Sequence, residues 1–163
     1  MEFQRFDIDG LVLITPRKIA DARGFFSETY RADQAAAHGV PTDFVQENHA
    51  YSKERGVLRG LHFQLPPHAQ GKLVRVTRGR VLDVAVDIRD GSPTFGRHVA
   101  VELSAENWCQ FWVPVGFAHG YLTLEDDTEV LYKTTDYYAP QVDRGIAWND
   151  PALGIEWGVA PDA

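Results

Sequence analysis

The sequence predicts an all-β chain, a sandwich or small barrel carrying a few short helices. Three observations predict it. Short runs of alternating apolar and polar residues follow one another along the chain. Turn signals recur at roughly a dozen residues' spacing. Only one stretch has the composition of a helix. Fourteen glycines and nine prolines, scattered through 163 residues, supply the turns. That length suits one domain with a single core, residues 1–163.

Taken in order, Leu11 to Thr15 and Phe25 to Tyr30 read as strands, broken by Arg23-Gly24. Arg31 to His38 reads as the helix, because Ala35-Ala36-Ala37 favours it, Gly39 closes it and Pro41 follows. Phe44 to His49, Val57 to Gln64 and Lys72 to Thr77 are the next strands, with Pro66-Pro67 and Arg78-Gly79 as breaks. Arg80 to Arg89, His98 to Leu103, Gln110 to Val113, Ala118 to Leu124 and Glu129 to Tyr137 complete the set. Two strands carry more information than the rest. In Val57 to Gln64, alternation sends Arg59, Leu61 and Phe63 to one face, and Gly60, His62 and Gln64 to the other. Gly60 permits a bulge that would re-aim Arg59 toward His62. In Arg80 to Arg89, Leu82, Val84, Val86 and Ile88 share one side while Val81, Asp83, Ala85 and Asp87 share the other. Those aspartates either face water or, in the case of Asp83, point into a polar cavity. A small barrel with an open mouth holds one ligand in such a cavity.

Bulk properties narrow the function. The net charge of −7 argues against nonspecific binding to nucleic acid or anionic membrane. It leaves room for a local basic pocket, for which Arg23, Arg59, Lys72 and Arg75 are candidates. The single cysteine, Cys109, excludes an intramolecular disulfide and any multi-cysteine metal site. No run approaches the ~18 apolar residues of a membrane helix, and the opening Met-Glu-Phe-Gln-Arg-Phe-Asp lacks a signal peptide's apolar core. A cytoplasmic protein is expected.

Pro114, Gly116 and His119 form a P-x-G-x-x-H core whose spacing resembles the second motif of the cupin superfamily, which folds as a jelly-roll barrel. A metal-binding cupin also offers a histidine pair and a glutamate in its first motif. Here that region gives only His62, followed by Phe63 and Gln64, with His68 beyond Pro66-Pro67. No metal is expected. An ordinary role for His62 and His119 is that of hydrogen-bonded interior histidines. Their company of arginine, lysine and tyrosine shifts the balance toward chemistry.

A longer ordered set of segments extends the resemblance. It runs through Asp21-Ala22-Arg23-Gly24-Phe25-Phe26-Ser27-Glu28, Phe44-Val45-Gln46-Glu47-Asn48-His49 and Gly56-Val57-Leu58-Arg59-Gly60-Leu61-His62-Phe63-Gln64. It continues through Gln70 to Arg75, Val84 to Arg89, Ser92 to Gly96, Gly116 to Gly120, Leu131-Tyr132-Lys133, Tyr137 to Pro140 and Trp148 to Pro151. Together they resemble the dTDP-4-dehydrorhamnose 3,5-epimerase family over about residues 10–157. The resemblance implies a cupin-like jelly roll and a cofactor-independent epimerisation of carbons 3 and 5 in a dTDP-linked 4-keto-6-deoxyhexose. Both carbons lie alpha to a ketone, so a positioned base can remove their protons. The absence of a G-x-G-x-x-G signature agrees with a reaction needing no redox cofactor.

By resemblance His62 is the base, Tyr132 the proton donor, and Lys72 the cation meeting the enolate oxygen. Arg59 and Arg23 match diphosphate-binding positions and His119 one near the sugar or phosphate. Glu28, Gln46 and Asn48 match nucleotide contacts, and Tyr138 could stack on the thymine. Asp143 matches an acidic binding position usually held by glutamate. Relatives carry, past the tryptophan-rich end, an aspartate that orients the catalytic histidine within a Lys-Asp or Arg-Asp pair. Trp157 to Ala163 contain no such pair. Asp162 lies near the terminus, so Asp83 is taken as the residue orienting His62. The resemblance also implies a homodimer in which Arg23 and Glu28 act in the partner's site. Three other readings stand beside it: a mono-epimerase inverting only carbon 3 or carbon 5, a metal-dependent cupin, and a catalytically inert sugar-nucleotide-binding module.

Overall fold

Two-residue alternation decides where the core of this chain lies, and it does so on both faces of most strands. The computed structural model describes residues 1–158. Its elements are β1 (Glu2–Arg5), β2 (Val12–Thr15), β3 (Lys18–Asp21), β4 (Gly24–Ser27), α1 (Ala32–Ala37), β5 (Gln46–Ser52) and β6 (Leu58–Gln64). They continue as β7 (Lys72–Arg78), β8 (Arg80–Asp87), β9 (His98–Ser104), β10 (Gln110–Val113), β11 (Phe117–Thr123), β12 (Thr128–Thr134) and β13 (Asp143–Gly145), with a 3-10 turn at Pro140–Val142 before the last. A six-stranded sheet in the order β1-β2-β10-β7-β12-β5 faces a five-stranded sheet in the order β13-β6-β11-β8-β9. This is the expected jelly roll. A separate hairpin pairs β3 with β4.

Three apolar clusters follow from those faces. Val74, Val76, Phe111, Val113 and Val130 of the larger sheet meet Val81, Ala85, Leu103, Phe117 and Tyr121 of the smaller one, filling the space between the sheets. Val12, Ile14, Leu73 and Trp112 on the outer face of the larger sheet are covered by Ala35 of α1, Val40, Tyr30 and Phe44. Leu61, Val84, Val86, Ala118 and Leu122 on the outer face of the smaller sheet are covered by Trp148, Leu153, Ile155 and Trp157. Each covering segment turns a half-wet sheet face into buried area worth roughly 25 cal/mol per Å2. No helix among the described residues is long and apolar enough to cross a membrane.

Several expectations meet corrections. The helix loses its two end residues: Arg31 is its N-cap, without a side-chain capping bond and with its guanidinium donating to Asp33 instead, and His38 is its C-cap. His38 instead stacks on Phe3 with ring centroids 3.7 Å apart. The strand expected over Phe44 to His49 starts two residues later and runs on to Ser52, since Phe44 turns away to pack on Trp112. The strand expected to reach Tyr137 stops at Thr134, whose hydroxyl donates to the carbonyl of Asp136 and turns the chain. β1, β3 and β13 were not expected. Asp83 and Asp87, for which exposure was the ordinary reading, are both fully buried. Asp87 accepts from the Arg89 guanidinium, Ser92 and Thr94. Burial pushes its carboxyl up, but those hydrogen bonds outweigh it and hold the group well below the usual carboxylate range.

The bulge allowed at Gly60 is present. Between β11 and β6, His119 pairs with His62 and Tyr121 pairs with Arg59, so β6 carries one residue more than β11 across the step. Gly60 sits at φ 113°, and a Cβ there would lie 2.5 Å from the His119 carbonyl oxygen. A Cβ on Gly120 would meet the Arg59 carbonyl oxygen at 2.7 Å. Both backbones therefore need glycine. Gly60→Ala is expected to lower stability by about 2 kcal/mol or more through strain and clash. That corresponds to a fall in melting temperature of about 4–8 °C in thermal unfolding; an unchanged value would mean the strand pair relaxes freely.

Candidate active site

The bulge turns Arg59 to the face that carries His62, and β11 adds His119 from the neighbouring strand. Across the barrel, Lys72 opens β7 and Tyr132 lies near the end of β12, where Thr134 pairs with Lys72. Two adjoining cavities occupy the space between. The larger, about 380 Å3, is lined among others by Gln46, Asn48, His62, Lys72, Tyr132, Tyr138 and Asp143. The smaller, about 240 Å3, is lined by Ala50, Arg59, Gly60, His62, Lys72, His119, Tyr121 and Tyr132. His62, Lys72 and Tyr132 belong to both. The imidazole comes from one sheet, and the ammonium and phenol from the other, so they face each other across a shared space.

The electrostatics of that space are unusual. Burial, then the neighbouring Lys72 and His119, push the His62 pKa down to about 3, so the imidazole is neutral in the free protein at any physiological pH. Among the described residues no hydrogen bond holds its ring. Lys72 is only 6% exposed. Burial brings its pKa down to about 8, against the pull of Asp143 and Asp83, leaving it charged at neutral pH. Its Nζ lies 5.8 Å from the centroid of the Tyr132 ring.

Asp83 calls for a correction. It was expected to orient His62, but its carboxylate oxygens lie 2.8 and 2.9 Å from Nε2 of His119. The strand order gives the reason. β11 lies between β6 and β8, so a side chain on β8 reaches the histidine of the intervening strand. Asp162, the other aspartate considered, lies outside the described residues.

A polar frame surrounds the larger cavity. Gln46 Nε2 donates to Asn48 Oδ1 at 3.0 Å, and Gln46 Oε1 accepts the Tyr138 amide at 3.1 Å. Gln64 donates to the carbonyls of His68 and Tyr137 and accepts from the Ala139 amide. Gln70 donates to the carbonyl of Asp136. These amides tie the segment carrying Tyr138 to the barrel wall. Sequence reasoning missed Gln64, Gln70 and Tyr121. For Gln64 and Tyr121 the signal was present: each stands two residues beyond a selected histidine on the same strand face.

Arg23 and Glu28 do not join these cavities. Arg23 sits at the tip of the β3–β4 hairpin, its side chain 90% exposed and paired with Asp21 at 2.6 Å. Glu28 follows the hairpin and lies 3.8 Å from Arg31. Ile19, Phe25 and Phe26 on the same hairpin are also exposed. Among the described residues, no group of three His, Cys, Asp or Glu is placed to hold a metal ion.

A neutral imidazole facing a phenol, with a buried ammonium beside both and a guanidinium at the rim, suits removal of a proton from a carbon acid that carries an anionic group. Comparison with known proteins points the same way. The family model described as dTDP-4-dehydrorhamnose 3,5-epimerase matches residues 5–163. A dTDP-4-dehydrorhamnose 3,5-epimerase of Pseudomonas aeruginosa is 55% identical over 159 residues, covering 96% of this chain and 86% of that protein. The crystal structure of the Bacillus anthracis enzyme of the same name, with TDP and PPi bound, has a TM-score of 0.94 at 45% identity, covering 98% of this chain and 91% of that one. The dTDP-6-deoxy-D-glucose-3,5-epimerase of Legionella pneumophila, in complex with dTDP-4-keto-L-rhamnose, has a TM-score of 0.92 at 48% identity, covering 98% and 84%.

Proposed function

The chain belongs to the dTDP-4-dehydrorhamnose 3,5-epimerase family, and from that premise we propose that it converts dTDP-4-dehydro-6-deoxy-D-glucose to dTDP-4-dehydro-L-rhamnose, the precursor of dTDP-L-rhamnose. One observation carries the reading: His62 and Tyr132 come from opposing sheets and line the same two cavities, with Lys72 common to both.

Neutral His62 removes the proton alpha to the ketone. The electrons move onto the carbon-4 oxygen, where Lys72 meets the developing charge. Tyr132 returns a proton to the opposite face, and once His62 has released its proton to solvent and the Tyr132 phenolate has taken one up, a second round inverts the other carbon. Arg59, at the open rim, receives the diphosphate, and His119, held by Asp83, lines the sugar side. Gln46, Asn48 and Tyr138 frame the larger cavity for the thymidine, with Asp143 at its edge. Arg23 and Glu28 serve the site of a second subunit. The exposed Ile19, Phe25 and Phe26 would be covered in such a homodimer. A cytoplasmic setting suits the single free thiol of Cys109.

The direct test is proton NMR of the protein in heavy water with the keto-sugar nucleotide. Loss of the signals of hydrogens 3 and 5 together with appearance of the L-configured product is expected. No exchange at either carbon overturns the reading, and exchange at one carbon alone makes the protein a mono-epimerase. Lys72 adds a pH signature. Because burial lowers its pKa to about 8, kcat/KM should hold level through neutrality and fall as the pH rises past about 8, where the ammonium loses its proton. Lys72→Ala should lower turnover by about 10²-fold or more and erase that alkaline limb. An unaffected rate would make Lys72 a bystander.

A further inference from the structure

One polar group in the barrel has no place in the scheme above. Tyr121 follows His119 by two residues on β11 and shares its inward face. It is 4% exposed, packs within the inter-sheet core, and lines the smaller cavity with Arg59, His119 and the three shared residues. Its hydroxyl is fully buried and has no hydrogen-bond partner among the described residues. A buried phenol without a partner is costly, and phenylalanine would fill the same ring space without that cost. The cavity beside it can supply an acceptor.

We propose that the Tyr121 hydroxyl donates a hydrogen bond to an oxygen of the hexose, and so selects the sugar rather than the nucleotide. The inference rests on the epimerase reading above. The division of the site supports the sugar as partner. Gln46, Asn48 and Tyr138 line only the larger cavity, whereas Tyr121 and His119 line only the smaller one. Arg59 is exposed at the rim, so the charged diphosphate stays there, near water, while the neutral ring enters the buried end where Tyr121 sits. The group is suited to donation: burial, with Tyr132 and Asp83 nearby and against the opposing effect of Arg59, raises its pKa to about 12, so it keeps its proton.

Calorimetric titration of the wild-type protein and Tyr121→Phe with dTDP and with dTDP-L-rhamnose tests this, alongside thermal unfolding without ligand. Tyr121→Phe should bind dTDP as wild type does and bind dTDP-L-rhamnose about 5–20-fold more weakly. KM for the keto-sugar nucleotide should rise with kcat changed less, and the ligand-free variant should melt no lower than wild type. Equal weakening toward both ligands would assign the hydroxyl to a phosphate and overturn the proposal. Unchanged binding of both overturns it also, as does a melting temperature several degrees lower, which would mark a structural hydroxyl. Wild-type protein that exchanges hydrogens 3 and 5 while Tyr121→Phe is indistinguishable from it refutes the Tyr121 role alone. Wild-type protein that binds neither ligand refutes the epimerase reading as well.

Discussion

His62→Ala is expected to abolish deuterium incorporation at both carbons alpha to the ketone, with kcat falling by at least about 10³-fold and dTDP binding nearly unchanged. The size follows from what a positioned general base contributes. Retention of binding follows from the ring's lack of hydrogen-bond duties among the described residues. Its pKa of about 3 in the free protein makes the imidazole neutral but weakly basic. Burial and the nearby Lys72 and His119 disfavour its cation, and an anionic substrate reverses that balance by placing negative charge in the cavity. The base therefore strengthens as substrate binds. The pH profiles carry the sign of this effect. The acid limb of kcat, which reports the bound state, should lie at higher pH than the acid limb of kcat/KM, which reports the free protein. Coincident limbs would show that substrate charge does not reach His62, and wild-type exchange in His62→Ala would remove it from the base role.

Local pattern made most of the barrel legible. Gln110 to Val113 was expected as a strand and is β10 residue for residue. On β8 the two faces separate as alternation requires, with Val84 and Val86 against the C-terminal cover and Val81 and Ala85 between the sheets. Gly60 announced its bulge because few other reasons place a glycine inside an apolar strand. The hidden parts depend on long-range arrangement. β13 has three residues, two of them charged, and forms only because β6 offers an open edge. The partner of Asp83 was misread because sequence spacing does not say that β11 intervenes between β8 and β6. Buried Asp87 looked solvated because its satisfaction comes from Arg89, Ser92 and Thr94 in the turn after the strand. Arg23 and Glu28 stand away from both cavities because Arg23 lies at the exposed tip of the β3–β4 hairpin and Glu28 just beyond it, and local pattern does not say which way a hairpin projects. Tyr121 was overlooked for a different reason: although it shares a face with His119, a strand aromatic beside Gly120 reads as core packing, and the sequence does not show that its hydroxyl lacks a partner among the described residues.

Tyr132→Phe separates the two halves of the reaction. Phenylalanine keeps the ring that packs at the edge of the inter-sheet core and removes only the proton that the opposite face of the sugar needs. Abstraction by His62, on the other sheet, should continue. In heavy water the substrate should then take up deuterium while keeping its original configuration, because the imidazole returns the label to the face from which it removed hydrogen. Product formation should fall by about 10²–10⁴-fold, so the ratio of exchanged to inverted carbon rises by the same factor. Lys72 sharpens the expectation. Its ammonium near the Tyr132 ring still stabilises the enolate in the variant, so the intermediate forms and waits for a donor. Inversion at the wild-type rate in Tyr132→Phe would mean that another group reaches the opposite face, and exchange and inversion falling together would mean that the phenol helps abstraction as well. Exchange that outlives inversion is the result that places acid and base on opposite walls of one cavity.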